Sequence, residues 1–210
     1  LLASPKKIIQ AVKQELTENL EKFGDDRRTK VIKGKVGELA DEDLIVNEKS
    51  IVTISQNGYI KRLKDDSYKK QSRGGKGVTG QTLKEEDIVD TVRICNTHDT
   101  AVFFTSRGRV YKMKVWDIPE SSRTAKGMSL ANFLNITQGE KVEAFLSLSS
   151  EQMADKNSFI MLGTRKGIVK KTPLEEFANI RSAGITAINL TDGDSLVWAK
   201  VSSGRDTVLI

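Results

Sequence analysis

Residues 51–63 read Ile-Val-Thr-Ile-Ser-Gln-Asn-Gly-Tyr-Ile-Lys-Arg-Leu, and this stretch decides the fold. Two short runs rich in β-branched and apolar residues flank the dipeptide Asn57-Gly58. An Asn-Gly pair suits the central positions of a tight turn between antiparallel strands, because both residues tolerate positive φ. The stretch therefore predicts a β-hairpin with Gly58 in its turn.

The same hairpin pattern occurs twice more along the chain. Residues 101–112 place Gly108 between two apolar runs, and residues 159–171 place Gly167 in the same way. The three turn glycines are spaced by 50 and 59 residues. A repeat of this length is typical of arrays in which each unit is one small sheet.

Two further landmarks keep the same register. They are an acidic residue that heads a strand-like run (Glu86, Glu140 and Asp194) and a glycine that precedes it (Gly77, Gly127 and Gly184). With about four strands per unit, the pattern predicts a mainly β, propeller-like array of four-stranded blades. Three units are complete, and residues 206–210 resemble the first strand of a fourth. Two unrelated β-sheets are the alternative, and they would need three landmarks to coincide by accident.

The first 23 residues predict a helix instead of strands. The apolar stripe of this helix consists of Ile8, Val12, Leu16, Leu20 and Phe23. Ser4 suits the N-cap, Pro5 the first helical position and Gly24 the end. We expect a helix and linker over residues 1–30, a β domain over residues 31–210, and, because the chain begins without Met, a fragment of a longer protein.

The composition excludes several classes of protein. One cysteine excludes a disulfide framework, and one histidine excludes a Cys/His zinc cluster. No apolar run reaches about 18 residues, and no Ser/His/Asp set or carboxylate pair stands out. We expect a cytosolic chain without a catalytic centre or metal of its own.

The positive charge is concentrated in equivalent parts of the repeats. The net charge is +6 overall but +5 in residues 58–80, +4 in residues 101–130 and +3 in residues 159–190. The second strands of the hairpins carry Lys61, Arg62, Arg109, Lys112, Lys114, Lys170 and Lys171, and the same windows add Lys69, Lys70, Arg123, Lys126 and Arg181. A single lysine on an edge strand is explained by protection against aggregation. Recurrence at matched positions favours a track for the phosphates of a nucleic acid, with strong salt dependence and little base readout.

The most basic loop spans residues 71–77, Gln-Ser-Arg-Gly-Gly-Lys-Gly. Its glycines let the backbone approach a ligand closely, and its cations bind phosphate oxygens. Lys126-Gly127 repeats the end of the loop one unit later, whereas Ala183-Gly184 has lost the charge. The spacing of a mononucleotide P-loop is absent, and a flexible basic surface loop is the remaining alternative.

These residues resemble the C-terminal domain of the A subunit of DNA gyrase, a bacterial type IIA topoisomerase. Residues 71–77 look like the box of that family, Gln-Arg-Arg-Gly-Gly-Lys-Gly, with Ser72 in place of one cation. Residues 97–100, 108–111, 118–120 and 123–127 look like its second blade, and residues 177–181 like its third. Residues 23–29 resemble the junction with the breakage-reunion domain, so that residues 1–30 would hold its last helix and linker.

The resemblance implies a β-pinwheel, in which neighbouring four-stranded blades exchange strands and duplex DNA wraps on a basic rim. The wrap supports ATP-dependent negative supercoiling, and the box residues that this role transfers to are Gln71, Arg73, Gly74, Gly75, Lys76 and Gly77. The catalytic tyrosine and the ATP and Mg²⁺ sites would lie on other domains. The implied partners are DNA, the gyrase B subunit and a second A subunit, on the nucleoid in the cytoplasm and without a membrane.

Two other functions remain open at this point. The equivalent domain of topoisomerase IV lacks or degrades the box, and the nearly complete box at residues 71–77 favours gyrase. A propeller that serves as a protein-interaction scaffold predicts an uncharged or apolar rim, which is the reverse of the pattern seen here.

Overall fold

The computed structural model describes residues 4–25, 29, 41–65 and 87–208. Its helices are α1 (Pro5–Phe23), α2 (Asp41–Leu44) and α3 (Ser150–Ala154), with short 3₁₀ turns at Val115–Asp117, Leu130–Asn132 and Leu174–Phe177. Its strands are β1 (Lys49–Ser55), β2 (Tyr59–Lys64), β3 (Val89–Asn96), β4 (Thr100–Thr105), β5 (Arg109–Lys114), β6 (Met128–Ser129), β7 (Val142–Leu148), β8 (Phe159–Thr164), β9 (Val169–Pro173), β10 (Ile185–Thr186) and β11 (Leu196–Ser202).

The chain divides into two units, residues 1–39 and 40–210. The first contains α1, which begins after Ser4 with Pro5 in its first turn and ends before Gly24, as the sequence predicts. No residue of α1 is buried, and its predicted apolar stripe is exposed. The boundary expected at residues 30/31 lies outside the described residues.

The three predicted hairpins are present in the second unit. Antiparallel pairs form between β1 and β2, β4 and β5, and β8 and β9. Gly58, Gly108 and Gly167 occupy the turns with φ of 76°, 71° and 85°. Positive φ in this range favours glycine, which explains why the turn glycine marks the repeat.

Three sheets follow from these hairpins, and we number them as blades. Blade 1 has the strand order β3-β1-β2-β6, blade 2 the order β10-β5-β4-β7, and blade 3 the order β11-β8-β9. The short strands β6 and β10 come from the repeat that follows the blade they join, so that the blades exchange strands as the resemblance implies. The predicted first strand of a fourth unit is not formed over residues 206–208, and residues 209–210 lie outside the described part.

The apolar core lies between successive blades and not within them. One cluster joins Val52 and Ile54 of blade 1 to Phe103 of blade 2, whose ring centroid lies 5.2 Å from that of Phe145. The next residue, Phe104, points to the opposite face of its strand and joins the cluster shared with blade 3. Consecutive phenylalanines in β4 therefore serve two different interfaces.

Equivalent backbone hydrogen bonds hold each hairpin turn against the last strand of its repeat. The amides of Gln56, Ser106 and Arg165 donate to the carbonyls of Ile88, Lys141 and Ser195, each at 2.8 Å. Each of these carbonyls belongs to the residue that directly follows an acidic residue. The equivalent acids of the three repeats are therefore Asp87, Glu140 and Asp194. Glu86, the first member expected from the sequence, lies outside the described residues.

Two of these acids bind backbone amides of the hairpin turns. Asp87 accepts from the amide of Asn57 at 3.1 Å, and Asp194 accepts from the amide of Lys166 at 3.0 Å. Glu140 instead accepts from the amide and hydroxyl of Thr137 at 3.0 and 2.8 Å. Burial alone would raise the pKa of Glu140, but hydrogen bonds from Thr105 and Thr137 and the charge of Arg109 bring the pKa below its ordinary value.

We predict that Phe104→Ala destabilises the fold by about 3–5 kcal/mol, because a fully buried ring is removed from the interface between blades 2 and 3. Urea unfolding followed by circular dichroism measures the change. The exposed Val92 on β3 is the control, and Val92→Ala should cost less than about 1 kcal/mol. Equal losses for the two variants would contradict the placement of the core.

A second prediction concerns acid unfolding. Because the folded-state pKa of Glu140 is lowered, its carboxylate contributes stability that is present above the unfolded-state pKa and is lost as pH falls through the folded-state pKa. The variant Glu140→Gln should therefore be less stable at neutral pH and lose less on acidification to about pH 4. Urea unfolding at both pH values tests this, with the exposed Glu176→Gln as control. Parallel pH profiles for wild type and Glu140→Gln would contradict it.

Candidate nucleic-acid interface

Two segments carry the chain from one repeat to the sheet of the preceding repeat. The first crossing segment, residues 118–127, leads to β6, and the second, residues 178–184, leads to β10. The first is bound to β2 by its backbone: the amide of Arg62 donates to Pro119 at 3.1 Å, and the amide of Ser121 donates back to Arg62 at 3.0 Å. Each blade has one edge on the side of its second hairpin strand. This edge consists of β2 and β6 in blade 1, β5 and β10 in blade 2, and β9 in blade 3, and we call it the exchange edge.

Each crossing segment ends at a glycine that the packing requires. Gly127 and Gly184 have φ of 89° and 73°. A Cβ on Gly127 would lie 2.6 Å from the carbonyl oxygen of Ile60, and a Cβ on Gly184 would lie 2.5 Å from the ring of Tyr111. The glycine landmark of the sequence thus marks the place where a borrowed strand passes close to the preceding blade.

Lys61 is a correction to the predicted interface. Its side chain is fully buried, and its Nζ donates to the carbonyl oxygens of Ser122 at 3.3 Å, Arg123 at 2.5 Å and Ala125 at 2.8 Å. Burial lowers the pKa of this ammonium group. The group binds the first crossing segment from beneath, so it does not face a phosphate.

Arg62 and Lys112 occupy equivalent positions in blades 1 and 2 and also bind the next repeat. The Nε of Arg62 donates to the carbonyl of Ile118 at 3.1 Å, and the Nζ of Lys112 donates to that of Ala178. Arg62 additionally pairs with Glu120 at 3.8 Å. These cations hold the start of each crossing segment, so their charge is already shared with backbone carbonyls.

The cations of β9 make similar contacts in blade 3. Lys170 donates to the carbonyl of Ala187 at 2.8 Å, and Lys171 donates to that of Gly204 at 3.1 Å. Lys171 also lies 4.0 Å from the ring centroid of Phe159. Both lysines are exposed, so each combines a backbone contact with an accessible charge.

A cation occurs at the same place in blades 1 and 2, but it comes from opposite strands. In blade 1, Lys126 of the crossing segment lies 3.6 Å above the ring centroid of Tyr59 on β2. In blade 2, Ala183 stands at the lysine position, and Arg109 of β5 reaches its carbonyl oxygen. The charge that the sequence lacks at Ala183 is thus replaced from across the strand pair.

The remaining predicted cations differ in their surroundings. Arg123 is half-buried, and its Nε has no hydrogen-bond partner among the described residues, whereas Arg181 is exposed on the second crossing segment. Lys114 pairs with the carboxylate of Glu42 and lies 4.8 Å from the ring centroid of Trp116. This pairing makes Lys114 a weaker ligand for phosphate than an exposed, unpaired lysine.

The most basic part of the predicted interface lies outside the described residues. It comprises Lys69, Lys70, Gln71, Arg73, Gly74, Gly75, Lys76 and Gly77. Within residues 4–25, 29, 41–65 and 87–208, no group of three His, Cys, Asp or Glu side chains is arranged to hold a metal ion. None of the described helices is long and apolar enough to cross a membrane.

Comparison with known proteins identifies the family. Three stretches, residues 49–96, 99–149 and 158–203, match the model of the DNA gyrase C-terminal domain, beta-propeller, and together they cover more than half of the chain. The chain belongs to this family. The matched stretches coincide with the three repeats, which confirms the mainly β pinwheel architecture.

Individual relatives agree with the assignment. The DNA gyrase A subunit of Mycolicibacterium smegmatis is 44% identical over 210 residues, which is all of this chain and 24% of that protein. The chain thus spans about a quarter of that relative's length.

Two solved structures are similar in fold. The C-terminal domain of DNA topoisomerase IV has a TM-score of 0.61 and 27% identity, over 76% of this chain and 47% of that one. The DNA gyrase A C-terminal domain has a TM-score of 0.59 and 23% identity, over 74% and 48% of the two chains.

Proposed function

We propose that this chain binds duplex DNA without sequence preference and wraps it along the exchange edge, as the C-terminal domain of a DNA gyrase A subunit. The observation that carries the proposal is the recurrence of cations along this edge in consecutive blades. They are Arg123 and Lys126 beside blade 1, Arg109 and Arg181 beside blade 2, and Lys170 and Lys171 on blade 3.

The chemistry of this edge suits the phosphate backbone better than the bases. Its described cations lie on strands and short connecting segments, and a base-reading helix is not found in the described part of the second unit. Contacts of this kind neutralise phosphates and release counterions, which gives affinity without sequence preference. Cations on several blades in succession would favour a bent duplex over a straight one, because bending brings more phosphates within reach.

Gyrase is favoured over topoisomerase IV by sequence. The box at residues 71–77 is nearly complete, and a DNA gyrase A subunit is 44% identical over the whole of this chain. The protein-interaction scaffold is disfavoured by the cations that recur on the exchange edge.

The role in the whole enzyme follows as part of the proposal. A wrapped duplex supplies a crossing of fixed hand, and strand passage then introduces negative supercoils at the expense of ATP. The catalytic tyrosine, ATP and Mg²⁺ belong to other domains, and the partners are the gyrase B subunit and a second A subunit. The enzyme acts on the nucleoid in the cytoplasm.

We predict that binding to a random-sequence duplex weakens steeply with salt. The variant Arg123→Ala/Lys126→Ala should reduce the slope of log K against log salt by up to about 2, at about 0.9 per lost phosphate contact. A filter-binding or anisotropy titration at several salt concentrations measures the slope. The matched control is Arg93→Ala/Lys200→Ala, one exposed arginine and one exposed lysine on the edge strands β3 and β11. Salt-insensitive binding, or no binding at low salt, would refute the function.

A further prediction concerns the box. In the assembled enzyme, Arg73→Ala/Lys76→Ala should reduce ATP-dependent supercoiling by at least about tenfold and leave ATP-independent relaxation nearly unchanged, because the box acts on the wrap and not on cleavage. Gel assays of plasmid topology measure both reactions, with Arg93→Ala/Lys200→Ala as control. Equal loss of the two activities would contradict the assignment of the box.

A further inference from the structure

The first crossing segment is held at three places on blade 1. Its start is bound by the backbone of Arg62, and its end by the close packing of Gly127 on Ile60. Between these points, the carbonyls of Ser122, Arg123 and Ala125 converge on a single buried group, the ammonium of Lys61. A surface loop of this kind would ordinarily leave such carbonyls to water.

The arrangement sorts the polar groups of the segment onto two sides. Carbonyl oxygens carry partial negative charge, and three of them are turned inward to Lys61. The two basic side chains of the segment make no part of that contact. Arg123 is half-buried, its Nε is buried without a hydrogen-bond partner among the described residues, and Lys126 lies over Tyr59. Without the ammonium group, the carbonyls would have to face solvent, because a buried acceptor without a donor is costly. The exposed carbonyls would then compete with DNA phosphates for the N–H donors of Arg123 and Lys126.

Blade 2 has a different residue at this position. Tyr111 is the equivalent of Lys61, and its hydroxyl donates to the carbonyl of Asn135 at 2.7 Å, away from the second crossing segment. The ring is fully buried against Gly184. The three-carbonyl contact is therefore made in blade 1, where the crossing segment carries two cations, and not in blade 2, where the equivalent segment carries Arg181.

We propose that Lys61 is a positioning residue for DNA binding, which fixes the first crossing segment so that Arg123 and Lys126 are presented to phosphates. The proposal rests on the proposed function. Lys61 itself makes no contact with DNA, and its effect passes through the two cations that follow the carbonyls it holds.

A double-mutant cycle in the full-length protein tests the proposal. Lys61→Met should weaken binding to a random-sequence duplex about tenfold or more at about 0.1 M salt and reduce the salt slope by up to about 2, although the replaced side chain is buried. In the Arg123→Ala/Lys126→Ala background, the same change should alter affinity less than about twofold, because the groups it positions are gone. Equal losses in both backgrounds, or no loss in a folded Lys61→Met protein, would overturn the proposal.

A second measurement needs no DNA. Trypsin cuts after Arg123 and Lys126 when the segment is released, and mass spectrometry can compare these cuts with the cut after Arg181 in the second crossing segment. Lys61→Met should accelerate the first two cuts about tenfold relative to the third, and unchanged ratios would overturn the positioning role.

If Lys61→Met does not fold, both experiments use Lys61→Gln instead, which keeps two N–H donors. A wild-type protein that fails to bind DNA at low salt would refute the proposed function, whereas the tryptic ratios report on Lys61 alone.

Discussion

The exchange of a two-residue strand between neighbouring repeats is the constraint on which the rest of the structure depends. β6 and β10 each pair with the blade before their own, through two residue pairs apiece. These contacts complete the sheets at an edge that would otherwise expose unpaired backbone groups. Two residues cannot hold a strand in place by themselves, so the crossing segments must be anchored by other groups.

Those anchors explain why so many cations in the second hairpin strands turn out to bind carbonyls. Arg62, Lys112 and Lys61 each donate to carbonyls of the following repeat. These carbonyls lie in the crossing segments, which are between two sheets and therefore have no strand partner to bind them. Lysine and arginine are suited to this because a flexible stem brings several N–H donors to one point. The matched positions of the cations are thus explained first by the fold, and the proposed phosphate ligands are cations whose charge stays accessible, such as Lys170 and Lys171.

The sequence predicted the features that depend on backbone conformation and missed those that depend on side-chain direction. Gly58, Gly108 and Gly167 reveal the hairpins because positive φ restricts the residue type at a single position. The burial of Lys61 has no such signal: alternation along β2 predicts two faces but does not say that the next repeat covers one of them. Ala183 is a similar case, since the cation that replaces the missing lysine, Arg109, lies 74 positions away in sequence. Residues 71–77 were the strongest sequence feature, and they lie outside the part of the chain that the structure describes.

Because each blade is finished by the next repeat, the candidate interface belongs to pairs of repeats and not to single ones. Lys126 comes from the second repeat and lies over Tyr59 of the first, and Arg109 of the second repeat reaches the carbonyl of Ala183 in the third. A phosphate bound at either place would contact two repeats at once and stabilise their junction. A polyanion bound along the exchange edge, as proposed, would therefore favour the docking of neighbouring blades, since a ligand that binds the docked form adds its binding free energy to that form alone. The same dependence appears in the contacts of Lys61, a residue of the first repeat whose ammonium group binds the first crossing segment, which belongs to the second.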